Sequence, residues 1–161
     1  MLEEYGQILI ATAIAWILFV TIDVFWRLPE KGGVSGADAI GSAIAKHGGD
    51  QHGGWMIGNI VSSPDASAGT LLAACGFFVA GIPGGIAAAA LVYAGNRICH
   101  DSGYAGTSGA LIATFVIAGC MQIGFGASDF IVGTVIAILT IQGISHPHAS
   151  RILGRLWRWR A

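Results

Sequence analysis

The run Y-G-Q-I-L-I-A-T-A-I-A-W-I-L-F-V-T-I-D-V-F-W, residues 5–26, constrains this chain more than any other feature. It contains a single ionisable side chain and carries aromatic residues at both ends. At 1.5 Å of rise per residue such a helix reaches about 33 Å, enough to cross the hydrocarbon of a bilayer. Glu3 and Glu4 precede it where a secretory signal would carry Lys or Arg, and no A-x-A site follows, so the segment is expected to be retained. The rest of the chain has the same character. Only 11% of the residues are charged and 54% are hydrophobic, where a soluble domain carries about 25% charge. A water-soluble fold is therefore not expected.

Glycine supplies 25 of the 161 residues, about twice the usual share. There is no G-X-Y period and there are only 4 prolines, so neither collagen nor Pro/Gly disorder explains the excess. Apolar and glycine-rich together predict closely packed transmembrane helices. The sequence reads as one all-α integral membrane domain, 1–161, with about five spans (four being the alternative) and a C-terminal amphipathic surface helix. The first span is 5–26. A polar, glycine-rich loop at 27–66, with a short amphipathic helix near residues 37–47, lies on the membrane surface. Next comes an apolar stretch interrupted by I-P-G-G at 82–85. Proline followed by two glycines punctuates strongly, so we expect a short helical hairpin, 67–82 and 84–99, rather than one helix of some 45 Å. Each half reaches only about 24 Å, which requires local thinning or shielding by neighbours. Spans at 105–124 and 129–144 follow, with F-G-A-S as the turn between them, and 147–161 forms the terminal helix.

In that terminal helix Ile152, Leu156 and Trp159 repeat at i, i+4, i+7, while Arg151, Arg155 and Arg158 run one position earlier. This pattern, with Trp157 beside it, suits anchoring in the headgroup plane. The net charge of −1 leaves no basic field for nucleic acid. Five spans would collect all eight Lys/Arg on one side and leave Glu3 and Glu4 on the other, whereas four would put Arg27, Lys31 and Lys46 on the far side. The positive-inside tendency favours five, with a cytoplasmic C-terminus in a multi-pass protein of the cell membrane.

Few residues could carry chemistry. Asp23 is a candidate relay for a proton or cation, although a carboxylate three residues before Trp26 also reaches the interface. Asp129, after Ser128 at a helix start, is a second relay candidate, and capping of free N–H groups is its plainer role. Gln122 and Gln142 are expected to make interhelical hydrogen bonds. Cys75, Cys99 and Cys120 form no C-x-x-C pair, and His47, Asp50, His52, His146 and His148 meet no zinc spacing. Cys99-His100-Asp101 cannot converge on one metal from adjacent positions, and Asp101 or Ser102 reads as a helix N-cap. No metal, cofactor or catalytic residue is expected. Small residues recurring every four positions, Gly81, Gly85, Ala89 and Ala105, Gly109, Ala113, mark helix faces for close packing.

A pump or transporter would place several ionisable residues in facing spans, and an enzyme would need a convergent polar constellation. Neither pattern is present. An accessory or scaffold subunit of a larger membrane complex fits best, its partners being other membrane subunits, lipids and a cytoplasmic soluble subunit docked on the basic helix. The runs G-N-R-I-C-H-D-S-G-Y-A-G-T-S-G (95–109) and Q-G-I-S-H-P-H-A-S-R-I-L-G (142–154) resemble small hydrophobic subunits of energy-converting nickel–iron hydrogenases of methanogenic archaea. The resemblance implies a complex coupling ion flow to ferredoxin reduction by hydrogen, with its metal centres in other subunits. Nothing in the chain matches an antiporter-like pumping subunit bearing lysine or glutamate in its spans. A glycine-rich membrane subunit of a sodium-translocating methyltransferase, or a small ion-conducting transporter subunit, is the alternative.

Overall fold

The computed structural model describes residues 2–26, 42–49, 64–98, 104–145 and 147–160. Every regular element among them is helical: α1 (Leu2–Trp26), α2 (Pro64–Ile98), α3 (Ala105–Met121), α4 (Ala127–Ser145) and α5 (Pro147–Arg160), with one helical turn over 42–46. Most of the loop at 27–66 lies outside the described residues. Helix α3 starts behind Tyr104, so neither Asp101 nor Ser102 is its N-cap.

Helix α2 is broken. Ala80 (φ −141°, ψ 20°) and Gly81 (φ 62°, ψ −148°) leave helical geometry and reverse the chain. Pro83 follows within the first turn of the returning arm, where its missing N–H has no helical partner to lose. The arms, 64–79 and 82–98, are close enough that a β-carbon on either Gly76 or Gly84 would strike the other's carbonyl.

Contacts fix the direction of every rod. Gln7 Nε2 donates to the Gly124 carbonyl (3.0 Å), joining the start of α1 to the turn between α3 and α4. Trp16 Nε1 donates to Thr140 Oγ1 (3.1 Å), and Gly133 lies against Ala11 and Thr12, so α1 and α4 run parallel. At the opposite end Trp26 Nε1 donates to Ser108 Oγ (3.0 Å), placing the end of α1 beside the start of α3. The chain thus traverses the bundle five times, in α1, the two arms of α2, α3 and α4.

Traversing the bundle is not the same as being long enough for a bilayer. Among the described residues two helices, not five, pass on length and composition: α1 over Tyr5–Ile22 and α2 over Ala66–Ile98. Helix α3 and the apolar part of α4, Ala127–Ile141, are shorter. Because α2 reverses at Gly81, each of its arms reaches only about 24–26 Å.

Two of the three core clusters among the described residues sit at opposite ends of the bundle. One holds Ala11, Ala74, Phe77, Ile117 and Phe130 toward the Gln7 end. The other holds Phe19, Ile22, Ala66, Ala105 and Ile141 toward the Trp26 end, and there Ile44 of the helical turn plugs the bundle. Backbone proximity does much of the remaining packing. Added β-carbons at Gly69 or Gly109 would meet the carbonyls of Gly106 and Ala66, and one at Gly85 would meet the side chain of Thr114. Small residues at crossings let backbones approach where lipid offers no hydrophobic drive for helix association. Thr70 and Thr114 satisfy their buried hydroxyls on carbonyls four residues back, 2.9 and 2.7 Å away.

Candidate functional site

The Trp26 end gathers what chemistry the described residues offer. Arg97 is near the end of α2, Lys46 on the turn that carries Ile44, and Arg151, Arg155 and Arg158 on α5. At the Gln7 end the described residues contain no Lys or Arg. Helix α5 is seated on residues 47–49: Gly154 is buried against the His47 carbonyl, and the Arg158 guanidinium lies over Gly48. Ile152, Leu156 and Trp159 are exposed on α5, as are its three described arginine side chains. The side chain of Trp157 lies outside the described residues.

An aromatic stack supports this end. Trp26 and Tyr104 stack with ring centroids 5.5 Å apart and planes at 26°, and Tyr104 and Tyr93 continue the stack at 6.4 Å and 24°. Phe25 meets Trp26 edge-on at 5.3 Å. The Arg97 guanidinium carbon sits 5.0 Å from the Tyr104 centroid and 5.5 Å from that of Tyr93, within cation–π range of both. Three elements converge here, and sequence reasoning did not assemble them. The available signal was aromatic residues beside a cation at the ends of three apolar runs.

The small-residue positions divide. Gly85, Ala89, Ala105, Gly109 and Ala113 are all buried, and Ala89 and Ala113 share a cluster with Ala73 and Ala110. Gly81 does not join them. A β-carbon there would meet nothing within 4 Å, and its positive φ makes it the reversal residue instead.

Asp129 is buried in the first turn of α4, at the end opposite Arg97. Its Oδ2 accepts a hydrogen bond from the Gly126 N–H at 2.7 Å. A carboxylate at the third helical position reaching back to the residue before the helix is half of a capping box. Asp129→Ala should therefore destabilise the α3–α4 turn by about 1 kcal/mol, read as a lower detergent-unfolding midpoint. An unchanged midpoint would show that the cap contributes nothing. The side chains of Asp23 and Gln142 lie outside the described residues, as do residues Cys99, His100, Asp101, Asp50, His52 and His146. Gln122 is exposed in the turn after α3. His47 and His148 belong to no cluster of three metal-ligating residues among those described.

Among the described residues the architecture is all-helical, with two helices that are by length and composition able to cross a bilayer, which agrees with association with a membrane. The chain belongs to the EhaB-like family, whose model matches residues 4–160, nearly its whole length. That membership agrees with the resemblance of residues 95–109 and 142–154 to subunits of energy-converting hydrogenases. No curated protein and no solved structure matches the chain.

Proposed function

We propose that the chain is a non-catalytic accessory subunit, built into the membrane part of a hydrogenase-type energy-conversion complex and holding neighbouring subunits in place. Family membership supplies the type of complex. The observation that carries the structural role is the outer surface. Leu9, Ile17, Val79, Leu91, Phe115 and Leu139 are all more than half exposed, so every rod turns large apolar side chains outward. Monomeric soluble proteins rarely leave contiguous apolar surface of this kind uncovered.

In this reading all five rods lie in the bilayer. Helix α1 spans it fully, while the shorter rods rest on local thinning and on neighbouring subunits. The Trp26 end faces the cytoplasm because it gathers the cations, and α5 lies in the headgroup plane, anchored by Arg151, Arg155, Arg158, Trp157 and Trp159. Asp129 is assigned to capping rather than to ion relay, on the strength of its bond to Gly126. The test is extraction of native membranes in mild detergent, followed by mass determination of the particle that carries this chain. Co-migration with hydrogenase subunits is the expected result, and recovery as a stable lone chain would sink the proposal.

A further inference from the structure

Threonines in this bundle have a habit, and one of them breaks it. Thr12, Thr21, Thr70 and Thr114 each donate their hydroxyl to the carbonyl four residues back, at 2.7–2.9 Å, and Thr140 donates to the one three back. Thr134, within α4, has the Phe130 carbonyl equally at hand. It is 1% exposed, yet its Oγ1 has no hydrogen-bond partner among the described residues. Thr107 shares that condition for a simpler reason, since it stands in the first turn of α3 with no helical carbonyl four residues behind it. A hydroxyl left unpaired in an apolar interior is costly, so Thr134 calls for a partner that those residues do not supply.

Its position shows where that partner lies. Gly133 packs on Ala11 and Thr12 of α1, and the next residue along a helix is turned by about 100°, which aims Thr134 away from α1 and toward α2. Phe130, one turn before it, shares a cluster with Ala74 and Phe77, and Ala137, almost one turn after it, shares one with Ala66. On the first arm of α2, Thr70 stands one turn from Ala66 and one turn from Ala74, and it is buried too. Thr134 and Thr70 therefore occupy the same layer, between the two end clusters. That layer has its own cluster, the alanines Ala73, Ala89, Ala110 and Ala113. Alanine fills less of an interhelical layer than the phenylalanines and isoleucines of the end clusters do. The Thr70 hydroxyl already donates to Ala66, and its oxygen keeps lone pairs with which to accept.

We propose that Thr134 and Thr70 hold one buried water molecule between them, tying α4 to the first arm of α2. The water accepts from the Thr134 O–H and donates to Thr70 Oγ1, and its second proton goes to a backbone carbonyl of the same layer. Two to four such bonds are what a retained interior water makes. Two neutral hydroxyls supply neither the charge nor the number of oxygen ligands that hard cations take, which selects water over an ion.

The full chain, carrying isotope-labelled threonine and reconstituted in phospholipid vesicles, can be read by magic-angle-spinning NMR with magnetisation transferred from water. Thr134 and Thr70 should both receive it. Thr114, equally buried but packed on Gly85 and bonded to Ala110, should not. Thr134→Val should remove the transfer to Thr70 and raise the unfolding constant in an SDS titration about threefold, the usual scale of a hydrogen bond between membrane helices. Thr134→Ser should keep both readings near wild type, and Thr70→Val should weaken the transfer to Thr134.

Unchanged or higher stability in Thr134→Val would overturn the proposal, because removing an unpaired hydroxyl relieves the fold whereas removing a water-bonded one weakens it. Absence of transfer to Thr134 in the wild type would overturn it as well, leaving a direct bond to protein in its place. Equal transfer to Thr114 would mean a bundle open to water throughout rather than one built site. A transfer or unfolding midpoint that changes when sodium replaces potassium would mean that the occupant is a cation.

Discussion

Gly69→Ala should destabilise the folded chain by about 3 kcal/mol, and Gly69→Val should abolish the native bundle. A β-carbon at Gly69 would land on the carbonyl of Gly106, and neither partner is the far end of a flexible side chain. The only relief is to part α2 from α3. That movement would also open the neighbouring contacts of Gly109 with Ala66 and of Gly85 with Thr114. Overpacking usually costs about 1–3 kcal/mol because side chains can turn aside. Here the obstruction is backbone, so the upper end is expected. Gly119→Ala on α3 is the matched control, since a β-carbon there meets nothing within 4 Å. It should raise stability by up to about 1 kcal/mol through helix propensity alone. The measurement is an SDS-unfolding titration of the purified chain in detergent micelles, followed by circular dichroism. Coincident curves for Gly69→Ala and wild type would mean that the α2–α3 crossing is looser than described.

That contrast marks how far the sequence could be read. The helical class was legible, because long apolar runs with so few charges leave the backbone no partner except itself. The presence of a break in α2 was legible too, because I-P-G-G is a local signal. Its position was not. The reversal falls on Ala80 and Gly81, ahead of Pro83, since proline tolerates the first turn of the arm that follows, and the positive φ at position 81 calls for glycine.

Spacing of i, i+4 grouped Gly85 with Ala89, and Ala105 with Gly109 and Ala113, and the structure buries these five positions. It also grouped Gly81 with them, although a β-carbon there would meet nothing within 4 Å. Spacing passed over Gly69, Gly76, Gly84 and Gly133, whose close neighbours stand on other helices or on the other arm. A pairing between elements leaves no period within either one. The stack of Trp26, Tyr104, Tyr93 and Arg97 escaped for the same reason. The count of spans shows a different limit, since five rods are arranged as a bundle while, among the described residues, two helices are long and apolar enough to be recognised by hydropathy.

Gly81→Val should be as damaging as Gly69→Val, for a reason that can be separated from packing. At φ 62° and ψ −148° the residue occupies a region open essentially to glycine alone, and a β-branched side chain there costs several kcal/mol, on the order of 3 or more. Collision is not the cause, because a β-carbon built at Gly81 in the L configuration meets nothing within 4 Å. The chain could escape the strain by straightening α2 into one helix of about 50 Å. Straightening would part Gly76 from Gly84 and draw Arg97 away from Tyr104, so it forfeits more than it relieves. The expected result is a large fall in the SDS-unfolding midpoint, with no stable long-helix form. Stereochemistry supplies the decisive comparison. Reversing the signs of both Gly81 angles gives a backbone in the extended, polyproline-like region that L residues favour, so the angles themselves suit a D residue. A D-alanine at position 81 should therefore fit without backbone strain, and by restricting the unfolded chain it should match or exceed glycine by up to about 1 kcal/mol. The nearby Cys75, exposed on the first arm, gives a natural junction for joining a synthetic segment that carries it. If D-alanine proves as harmful as L-valine, the left-handed backbone at Gly81 is not what holds the hairpin closed, and the glycine contacts between the arms must hold it instead.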